Sequence, residues 1–597
     1  MAYVPTLKAS GGSFLTDESS PENIFTAEDL SEEQRMIRSA MEDFITAEIH
    51  PIAHEVDTAA FIEKAPDLLR KAGELGFLGI GVSEEYGGTP MDFSTQIAMG
   101  EEMFKSYSFS LTIGVQTSIG IAPILLYGNK DQKAKYLPKM VSGEVRTCYC
   151  LTEPGAGSDA NSGKTRAVLN EEGTHYILNG QKMWITNSGF AHVFIVFAKV
   201  DDDRTLSAFI VEKDFGGVSL GEEEKKMGIK GSSTRQVFFN EVPVPVENML
   251  GERGDGFKMA LNVLNTGRIK MASAGVGNGR HAIKLASTYA AERKQFGASI
   301  SSFGAIQHKL GEMASRVYAI ESALYRTSGN IDRTHDAMVE EGMDPIKAKP
   351  ASVEEYAIEC AMLKVYATEA MDYIVDEGVQ IHGGMGFSEE TMIETMYRDN
   401  RITRIYEGTN EINRMLAIDQ IMRKALKGQI DLFGAVKGVV AELGAVPSMN
   451  GLGEHPLAVE FDAVKRFRKA FLLVAGAAAN GLKENLKNEQ EVLMNLADMV
   501  IQAYVAESAV LRTARLLEEA AEDKAQRCMD MTRIILHRAS SVINHAGQEV
   551  LWTFPEGDEQ RMGLLGLKRF TKLQPHNLKD ARRRLAAGIL EENRYPW

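Results

Sequence analysis

The spacing of apolar residues changes several times along this chain of 597 residues. Residues 1–25 have no regular period and predict an irregular arm. From residue 26 to residue 145 apolar positions recur every three or four residues, which predicts a helical domain. Ser31 and Gln34 form the pattern of a helix N-terminus, and Pro51 should end that helix after His50.

Between residues 146 and 258 the apolar period shortens to two. Short runs rich in β-branched and aromatic residues alternate with Asp, Gly and Pro, and they predict a compact β domain. Asn179-Gly180 stands between two such runs and predicts a two-residue hairpin turn. Trp184, Ile185 and Thr186 would close that hairpin.

The helical period returns over 259–427, and residues 457–597 are again helical. Segment 428–456 is predicted to be a linker, marked by Pro447, Asn450, Gly451, Gly453 and Pro456. A chain of this length should divide into several domains. The predicted fold is mainly α with a central β domain.

The net charge of −16 disfavours nucleic acid as a partner, so an anionic ligand would need a local cation. Four cysteines without a CxxC pair indicate a reducing compartment. We expect a cytoplasmic, prokaryotic protein, because residues 1–25 lack the features of a signal or transit peptide and no apolar run of 18 residues occurs. Basic residues cluster at 465–469 and 568–584, which favours packing on an acidic neighbour or peripheral contact with the inner membrane.

The stretch from Tyr397 to Asn413, YRDNRITRIYEGTNEIN, carries the candidate chemistry. Burial of Glu407 between Tyr406 and Gly408 would raise its pKa toward that of a general base. The alternative is a helix N-terminus with Thr409 as the cap and Glu411 in the first turn. Both interpretations remain open.

Three further stretches are rich in glycine, and each has a ligand-binding and a structural interpretation. Loop 151–159, LTEPGAGSD, offers backbone N–H groups to a phosphate or is a plain turn. Gly275 to Arg280 lies inside a helical pattern without a preceding strand, so its glycines predict close helix packing rather than a dinucleotide site. In QIHGGMGF at 380–387, His382 is interpreted as structural, and no metal site is predicted.

Taken together, these stretches resemble the acyl-CoA dehydrogenases over residues 26–425. The resemblance rests on YCLTEPGAGSD at 149–159, on QIHGGMGF and on YRDNRITRIYEGTNEI, which occur in the family's order. The tail at 430–597 resembles the extra helical domain of the very-long-chain branch. The resemblance implies a helical domain, a β-barrel and a four-helix bundle, followed by a C-terminal helical extension domain.

The resemblance also implies FAD as the cofactor and a homodimer. Arg293, Gln295 and the 380–384 stretch would reach the flavin of the partner subunit. The implied cofactor-binding residues are Tyr149, Leu151, Thr152, Gly157, Ser158, Trp184, Ile185, Thr186, Arg293, Gln295, Phe296, Gln380, Ile381, Gly383, Gly384, Gly408, Thr409 and Asn410. The implied substrate-binding residues are Ser158, Asn265, Arg268, Tyr406 and Gly408.

The resemblance implies that Glu407 is the catalytic base. Some branches of the family carry the catalytic glutamate at the position of Gly267 instead, but this chain has glycine there and glutamate at position 407. Glu407 would remove the α-proton of a fatty acyl-CoA in β-oxidation while hydride passes to flavin N5. The product would be a trans-2-enoyl-CoA, and electrons would pass to an electron-transfer flavoprotein. An acyl-CoA oxidase and a non-catalytic scaffold are the alternatives. Gly120 fits a widened acyl tunnel but Pro123 does not, so chain length stays open.

Overall fold

Six helices form the N-terminal domain of the protein. The computed structural model describes residues 10–443, 455–518 and 520–597. The first helix begins as predicted, because the Gln34 N–H donates to Ser31 Oγ (3.1 Å) and the Ser31 N–H donates to Gln34 Oε1 (2.8 Å). The helices are α1 Glu32–Phe44, α2 Ala59–Glu74, α3 Phe93–Met103, α4 Phe109–Gly114, α5 Ile121–Tyr127 and α6 Lys130–Val141.

The arm before α1 is packed into the protein from residue 10 onward; residues 1–9 lie outside the described residues. Phe14 and Leu15 are buried in the same core as the helices of the bundle. The Gly12 N–H donates to Glu359 Oε1 at 2.7 Å. A Cβ at Gly11 would stand 1.9 Å from the Glu355 carbonyl oxygen, so only glycine allows this approach.

Eight strands follow in a single sheet with the order β6-β7-β3-β2-β4-β5-β8, and β1 pairs with β4. Side chains of β4 and β5 share one core with those of β3 and β7. In the described part of the chain no pairing joins β6 to β8, so a closed barrel stays a prediction. The strands are β1 Thr147–Cys150, β2 Arg166–Leu169, β3 His175–Thr186, β4 Val193–Val200, β5 Ser207–Glu212, β6 Val218–Glu223, β7 Thr234–Pro245 and β8 Met249–Leu250.

The hairpin prediction at Asn179-Gly180 is wrong. Both residues lie inside β3, one continuous strand of 12 residues, at a register shift against β7. Asn179 Nδ2 donates to Glu241 Oε1 at 2.7 Å across the strands. A Cβ at Gly180 would stand 2.5 Å from Thr165 Oγ1, so this glycine permits a close approach rather than a turn.

Long helices form the bundle that follows the sheet. The glycine interpretation at 275–280 is confirmed, because a Cβ at Gly277 would stand 1.8 Å from the Glu101 carbonyl oxygen of α3. The bundle contains α7 Gly256–Glu292, a hairpin of β9 Lys294–Gln295 and β10 Ala298–Ser299, α8 Gly304–Glu340, α9 Pro345–Glu355, α10 Ala357–His382, α11 Met392–Asn400 and α12 Asn410–Leu426.

The C-terminal helices pack on the bundle and on the arm. The linker prediction needs correction for its first half, which contains a helix; Pro447, Asn450, Gly451 and Gly453 lie outside the described residues. Arg512 is 1% exposed and donates to Glu28 of the arm and to Glu321 of α8, both at 2.7 Å. The helices are α13 Leu432–Leu443, α14 Ala458–Leu482, α15 Gln490–Leu516, α16 Glu522–Thr553, α17 Gly557–Thr571 and α18 Leu578–Glu592.

Several basic residues near the C-terminus pair with acidic neighbours inside the chain. Arg582 donates to Glu312 at 2.8 Å and Arg584 to Asp530 at 2.7 Å. In the basic segment 465–469, Lys465 pairs with Glu18 at 2.7 Å. These contacts support the packing interpretation of both segments.

The stretch Phe109–Tyr127 is long and apolar enough to cross a membrane, with a mean hydropathy of 1.6. It comprises α4, a π-helical segment Val115–Gly120 and α5. Over half of it is buried inside the structure, against β1 and α7. We therefore interpret it as a core helix of the N-terminal domain.

Candidate active site

The turn between α11 and α12 presents Glu407 to the interior of the protein. Glu407 has φ 58° and Gly408 has φ 80°, and such a backbone is uncommon for a residue other than glycine. Thr409 caps α12, because its Oγ1 accepts the Ile412 N–H at 3.3 Å, and Glu411 lies in the first turn. The cap prediction is confirmed, and the same turn directs the Glu407 carboxylate inward.

Two buried side chains, Lys364 and Asn413, hold this turn by hydrogen bonds to its backbone. Lys364 of α10 is fully buried, and its ammonium donates to the Gly408 carbonyl oxygen (2.8 Å) and to Asn410 Oδ1 (2.7 Å). Asn413 Nδ2 also donates to the Gly408 carbonyl oxygen at 2.8 Å. Sequence reasoning missed Lys364. Its signal was a lysine in an apolar helix with no acid three or four residues away, where only Cys360, Ala361, Ala367 and Thr368 stand.

Glu407 is half-buried, and one oxygen of its carboxylate, Oε2, is buried without a hydrogen-bond partner. Burial raises the pKa of Glu407 to about 7, and the charges of Arg268 and Lys364 limit that rise. A carboxylate with such a pKa can exchange a proton near neutral pH. The arrangement is therefore that of a general base.

The carboxylate lies directly over Gly267 of α7. A Cβ at Gly267 would stand 2.6 Å from Glu407 Oε2 and 2.7 Å from its Cδ. The two positions thus share one volume, and a side chain at residue 267 and the observed carboxylate at residue 407 exclude each other. This geometry explains why the absence of a side chain at residue 267 matters for Glu407.

Two predicted substrate-binding residues, Asn265 and Arg268, lie beside the Glu407 turn, and a third, Tyr406, belongs to that turn. Arg268 is 4% exposed, donates from Nη1 to Asn265 Oδ1 (2.6 Å), and donates from Nε to the Glu407 carbonyl oxygen (3.3 Å). Burial lowers the pKa of Arg268, and the charge of Glu407 opposes this effect. The one cation predicted for an anionic ligand is therefore buried beside the base.

A small cavity of about 40 Å³ lies near the Glu407 turn, although neither Glu407 nor Gly267 lines it. Tyr406, the neighbour of Glu407, lines it together with Ala274 and Asn278 of α7 and Leu111 of α4. Two turns of α7, about 10 Å, separate Gly267 from Ala274. The cavity therefore lies about two turns along α7 from Gly267.

The glycine that leaves room beside this cavity is Gly114, not Gly120. A Cβ at Gly120 would stand 2.1 Å from Thr147 Cγ2 of β1, so Gly120 packs against the sheet and cannot widen a tunnel. At Gly114 the nearest atom to a Cβ is Met103 Cε at 3.9 Å. The expectation for Gly120 is thus wrong, because the helix turns that glycine toward β1.

Loop 153–158 and the end of β3 form an open surface of the β domain. The Glu153 carboxylate bonds to the Lys182 ammonium (2.7 Å), which fixes the start of the loop. A Cβ at Gly155 or Gly157 would meet nothing within 4 Å, so their backbone is open to a ligand. Ser158 lies exposed on the same loop.

Trp184 points away from the β domain although it is large and apolar. It is 52% exposed, and its φ of 62° falls at a register shift between Lys182 and Ile185. Ile185 is buried, whereas Thr186 is half-buried and pairs with Thr234 of β7. A bulge of this kind redirects a side chain, here an indole that can lie on a flat ring.

Tyr149 links this surface to the base. Its hydroxyl is buried without a hydrogen-bond partner, and burial together with the charge of Glu407 raises its pKa. Leu151 and Thr152 follow it between β1 and the loop. The open glycine loop, the exposed indole and the unpartnered hydroxyl fit a flat ring system that carries a diphosphate. Asn410 lies nearby, but its side chain bonds to Lys364 and Glu369.

The remaining predicted cofactor residues lie at the other end of the bundle. Helices α7 and α10 run parallel, since Gly275 packs on Ala367 and Tyr289 stacks on His382 at 4.4 Å. The structural role of His382 is confirmed, because its Nδ1 bonds to the Gly378 carbonyl oxygen at 2.7 Å. The residues at this end are Arg293, Gln295, Phe296, Gln380, Ile381, Gly383 and Gly384.

The residues at this end of the bundle are too far from Glu407 to contact the same bound ring. Twenty-six residues of α7, roughly 40 Å, separate Gly267 from Arg293. Phe296 is 95% exposed and Phe387 is 91% exposed. Exposed aromatic side chains at one end of a bundle indicate an interaction surface.

Comparison with known proteins agrees with this geometry. Family models described as the N-terminal, middle and C-terminal domains of acyl-CoA dehydrogenase match residues 31–144, 148–242 and 254–422, and a further acyl-CoA dehydrogenase C-terminal model matches 466–569. A probable acyl-CoA dehydrogenase of Bacillus subtilis is 45% identical over 98% of both chains. The chain belongs to the acyl-CoA dehydrogenase family.

The relatives of this acyl-CoA dehydrogenase include long members of the family. The human mitochondrial very long-chain specific enzyme is 40% identical over 75% of this chain and 69% of its own length. A crystal structure of an acyl-CoA dehydrogenase complexed with FAD from Bacillus anthracis superposes with a TM-score of 0.95 at 45% identity, covering 99% of this chain and 100% of that one. The family, the oxidoreductase class and the FAD cofactor predicted from sequence are confirmed.

A solved structure reported for the electron transferring flavoprotein of Acidaminococcus fermentans matches about two thirds of the chain. Its TM-score is 0.59 at 35% identity, over 66% of this chain and 99% of that one.

Proposed function

We propose that this acyl-CoA dehydrogenase uses FAD to convert a fatty acyl-CoA into a trans-2-enoyl-CoA. The single observation that supports it most is the Glu407 carboxylate, whose Oε2 is buried without a partner and lies over Gly267, while the neighbouring Tyr406 lines a cavity. An α-proton of a thioester is a weak acid, so its removal needs a base that is both placed and tuned.

In this proposal Glu407 receives the α-proton on its carboxylate. Arg268 and Lys364 limit the pKa of Glu407, so that a large fraction is ionised at neutral pH. The Glu407 backbone N–H donates to the thioester oxygen, where negative charge develops. A preorganised donor of this kind is worth on the order of 3–4 kcal/mol. Burial of the base excludes water from the reacting carbon.

FAD is proposed to lie between the β domain and the bundle. Tyr149, Thr152, Trp184 and Thr186 would contact the ring, and Gly157 with Ser158 would hold the diphosphate. When bound, FAD supplies the hydride acceptor for the β-carbon. The acyl chain would follow α7 into the cavity beside Tyr406.

We further propose a homodimer in which the far end of the bundle contacts the flavin of the partner subunit. The separation of roughly 40 Å along α7 and the exposed Phe296 and Phe387 support this arrangement. An electron-transfer flavoprotein is the proposed electron acceptor. A fatty acyl-CoA is the proposed substrate, in fatty acid β-oxidation.

Anaerobic flavin bleaching by acyl-CoA tests the function. Glu407→Gln keeps the shape of the side chain and should retain yellow FAD but lose bleaching. Glu411→Gln, an exposed residue four positions along the same segment, is the matched control and should bleach like the wild type. Bleaching of Glu407→Gln at the wild-type rate would overturn the assignment. Hydrogen peroxide formed at the rate of turnover, without a flavoprotein acceptor, would instead indicate an oxidase.

A further inference from the structure

One lysine of α7 has no role in the site described above. Lys270 is half-buried, and its ammonium donates to Ser118 Oγ at 3.0 Å. Among the residues that the structure describes, no carboxylate pairs with it, and burial alone lowers the pKa of Lys270 to about 8. Burial of an ammonium without an acidic partner is costly, and such groups usually have a function.

Lys270 lies where two antiparallel helical stretches face each other. Along α7, Asn262 bonds to Tyr127 (3.2 Å), Lys270 bonds to Ser118, and His281 bonds to Tyr107 (2.8 Å). Between the last two contacts, Ala274 and Asn278 line the cavity together with Leu111. Along α7, the Lys270–Ser118 contact therefore lies between Gly267, over which the Glu407 carboxylate lies, and Ala274, which lines the cavity.

The same conclusion follows from helical spacing. Gly267, Lys270, Ala274 and Asn278 are three or four residues apart, so they share one face of α7. On the opposite stretch Leu111, Gly114 and Ser118 have the same spacing and are all half-buried. The two faces lie opposite each other, and the Lys270–Ser118 bridge, defined as this hydrogen bond, joins them.

We propose that the Lys270–Ser118 bridge determines acyl-chain specificity. This inference rests on the proposed function, because it takes the acyl chain to run along α7 from Glu407. Lys270 is one helical turn beyond Gly267, about 4.5 Å along the axis or roughly three to four carbon atoms past the α-carbon. A butyryl chain ends before the bridge, whereas a dodecanoyl chain must pass it.

A long apolar chain meets a physical penalty at this point. It removes water from the Lys270 ammonium and displaces its one hydrogen-bond partner, and it offers no polar group in exchange. Loss of a hydrogen bond to a charged group corresponds to roughly a tenfold to hundredfold change in an equilibrium constant. The bridge therefore disfavours long unsubstituted chains relative to short ones.

The test compares kcat/KM for dodecanoyl-CoA and butyryl-CoA in the FAD-loaded enzyme. Lys270→Met should raise the ratio of the two values by about tenfold or more. Lys270→Arg keeps the charge and the donor and should not raise the ratio. Lys258→Met, an exposed lysine at the start of α7, is the control and should keep the wild-type ratio.

A binding measurement separates specificity from turnover. In the Glu407→Gln background, Lys270→Met should strengthen dodecanoyl-CoA binding relative to butyryl-CoA binding by a similar factor. An unchanged or lower ratio for Lys270→Met, or an equal increase for Lys270→Arg, would overturn the inference. If no acyl-CoA bleaches the wild-type flavin, the proposed function fails instead; bleaching with an unmoved ratio refutes the bridge alone.

Discussion

Replacing Gly267 by alanine should inactivate the enzyme without unfolding it. The added Cβ would stand 2.6 Å from Glu407 Oε2, whereas ordinary contact begins at 3.4 Å, so the carboxylate must move by at least 3.4 − 2.6 = 0.8 Å. The atoms that it meets are the end of a flexible side chain, and they can move. A misplacement of about 1 Å at a reacting group costs roughly a hundredfold in rate.

The stability of the Gly267→Ala variant should not fall, in contrast to its activity. Residue 267 lies inside α7, where alanine is favoured over glycine by roughly 1 kcal/mol. We therefore expect kcat to fall about a hundredfold, with an unchanged ratio of FAD to protein and a melting temperature no lower than that of the wild type.

Stopped-flow bleaching under anaerobic conditions, with flavin absorbance and thermal unfolding measured on the same samples, checks this prediction. Gly438→Ala in α13 is the matched control, because it makes the same change in a helix where a Cβ meets nothing within 4 Å. Wild-type kcat in Gly267→Ala would refute the placement of the carboxylate over residue 267. Loss of FAD together with activity would refute the claim that the change is local.

Three further predictions test the electrostatics of the site and the attachment of the C-terminal domain. Because burial raises the pKa of Glu407 to about 7, kcat/KM should rise about tenfold from pH 6 to pH 8 as the base ionises. In Lys364→Met the loss of a nearby positive charge should move that rise to higher pH; a pH profile identical to the wild type would contradict the role assigned to Lys364. Arg512→Ala should lower the free energy of unfolding by about 3–5 kcal/mol, because it leaves Glu321 buried without this partner; urea unfolding measures the loss, and a loss below about 1 kcal/mol would show that the contact contributes little.

Local patterns in the sequence identified those features whose physics is local. The cap formed by Ser31 and Gln34, and the Thr409 cap at α12, depend on residues within four positions of each other. Helical periodicity likewise placed the helical segments, since it reflects one buried face per helix. The motif around Glu407 pointed to the base because an acid between an aromatic residue and a glycine suggests a buried turn.

Contacts between distant segments decided the rest. Asn179-Gly180 has the residues of a hairpin turn, yet close packing against Thr165 and pairing with β7 keep it inside one strand. Gly120 and Gly114 look alike in sequence. The structure distinguishes them, because Gly120 faces β1 and is closely packed, whereas Gly114 has room for a Cβ. Lys364 and Lys270 became visible when their partners, 44 and 152 residues away, were known.

The sequence by itself thus determined the family, most of the helical and β segments and the candidate for the base, because these depend on residue type and short-range spacing. The tertiary structure alone decided where the Glu407 carboxylate points, which residues hold its turn and that Lys270 bonds to Ser118 on the facing helical stretch. The physical reason is that burial and desolvation, which set the pKa of Glu407, arise from atoms that meet only after the chain has folded.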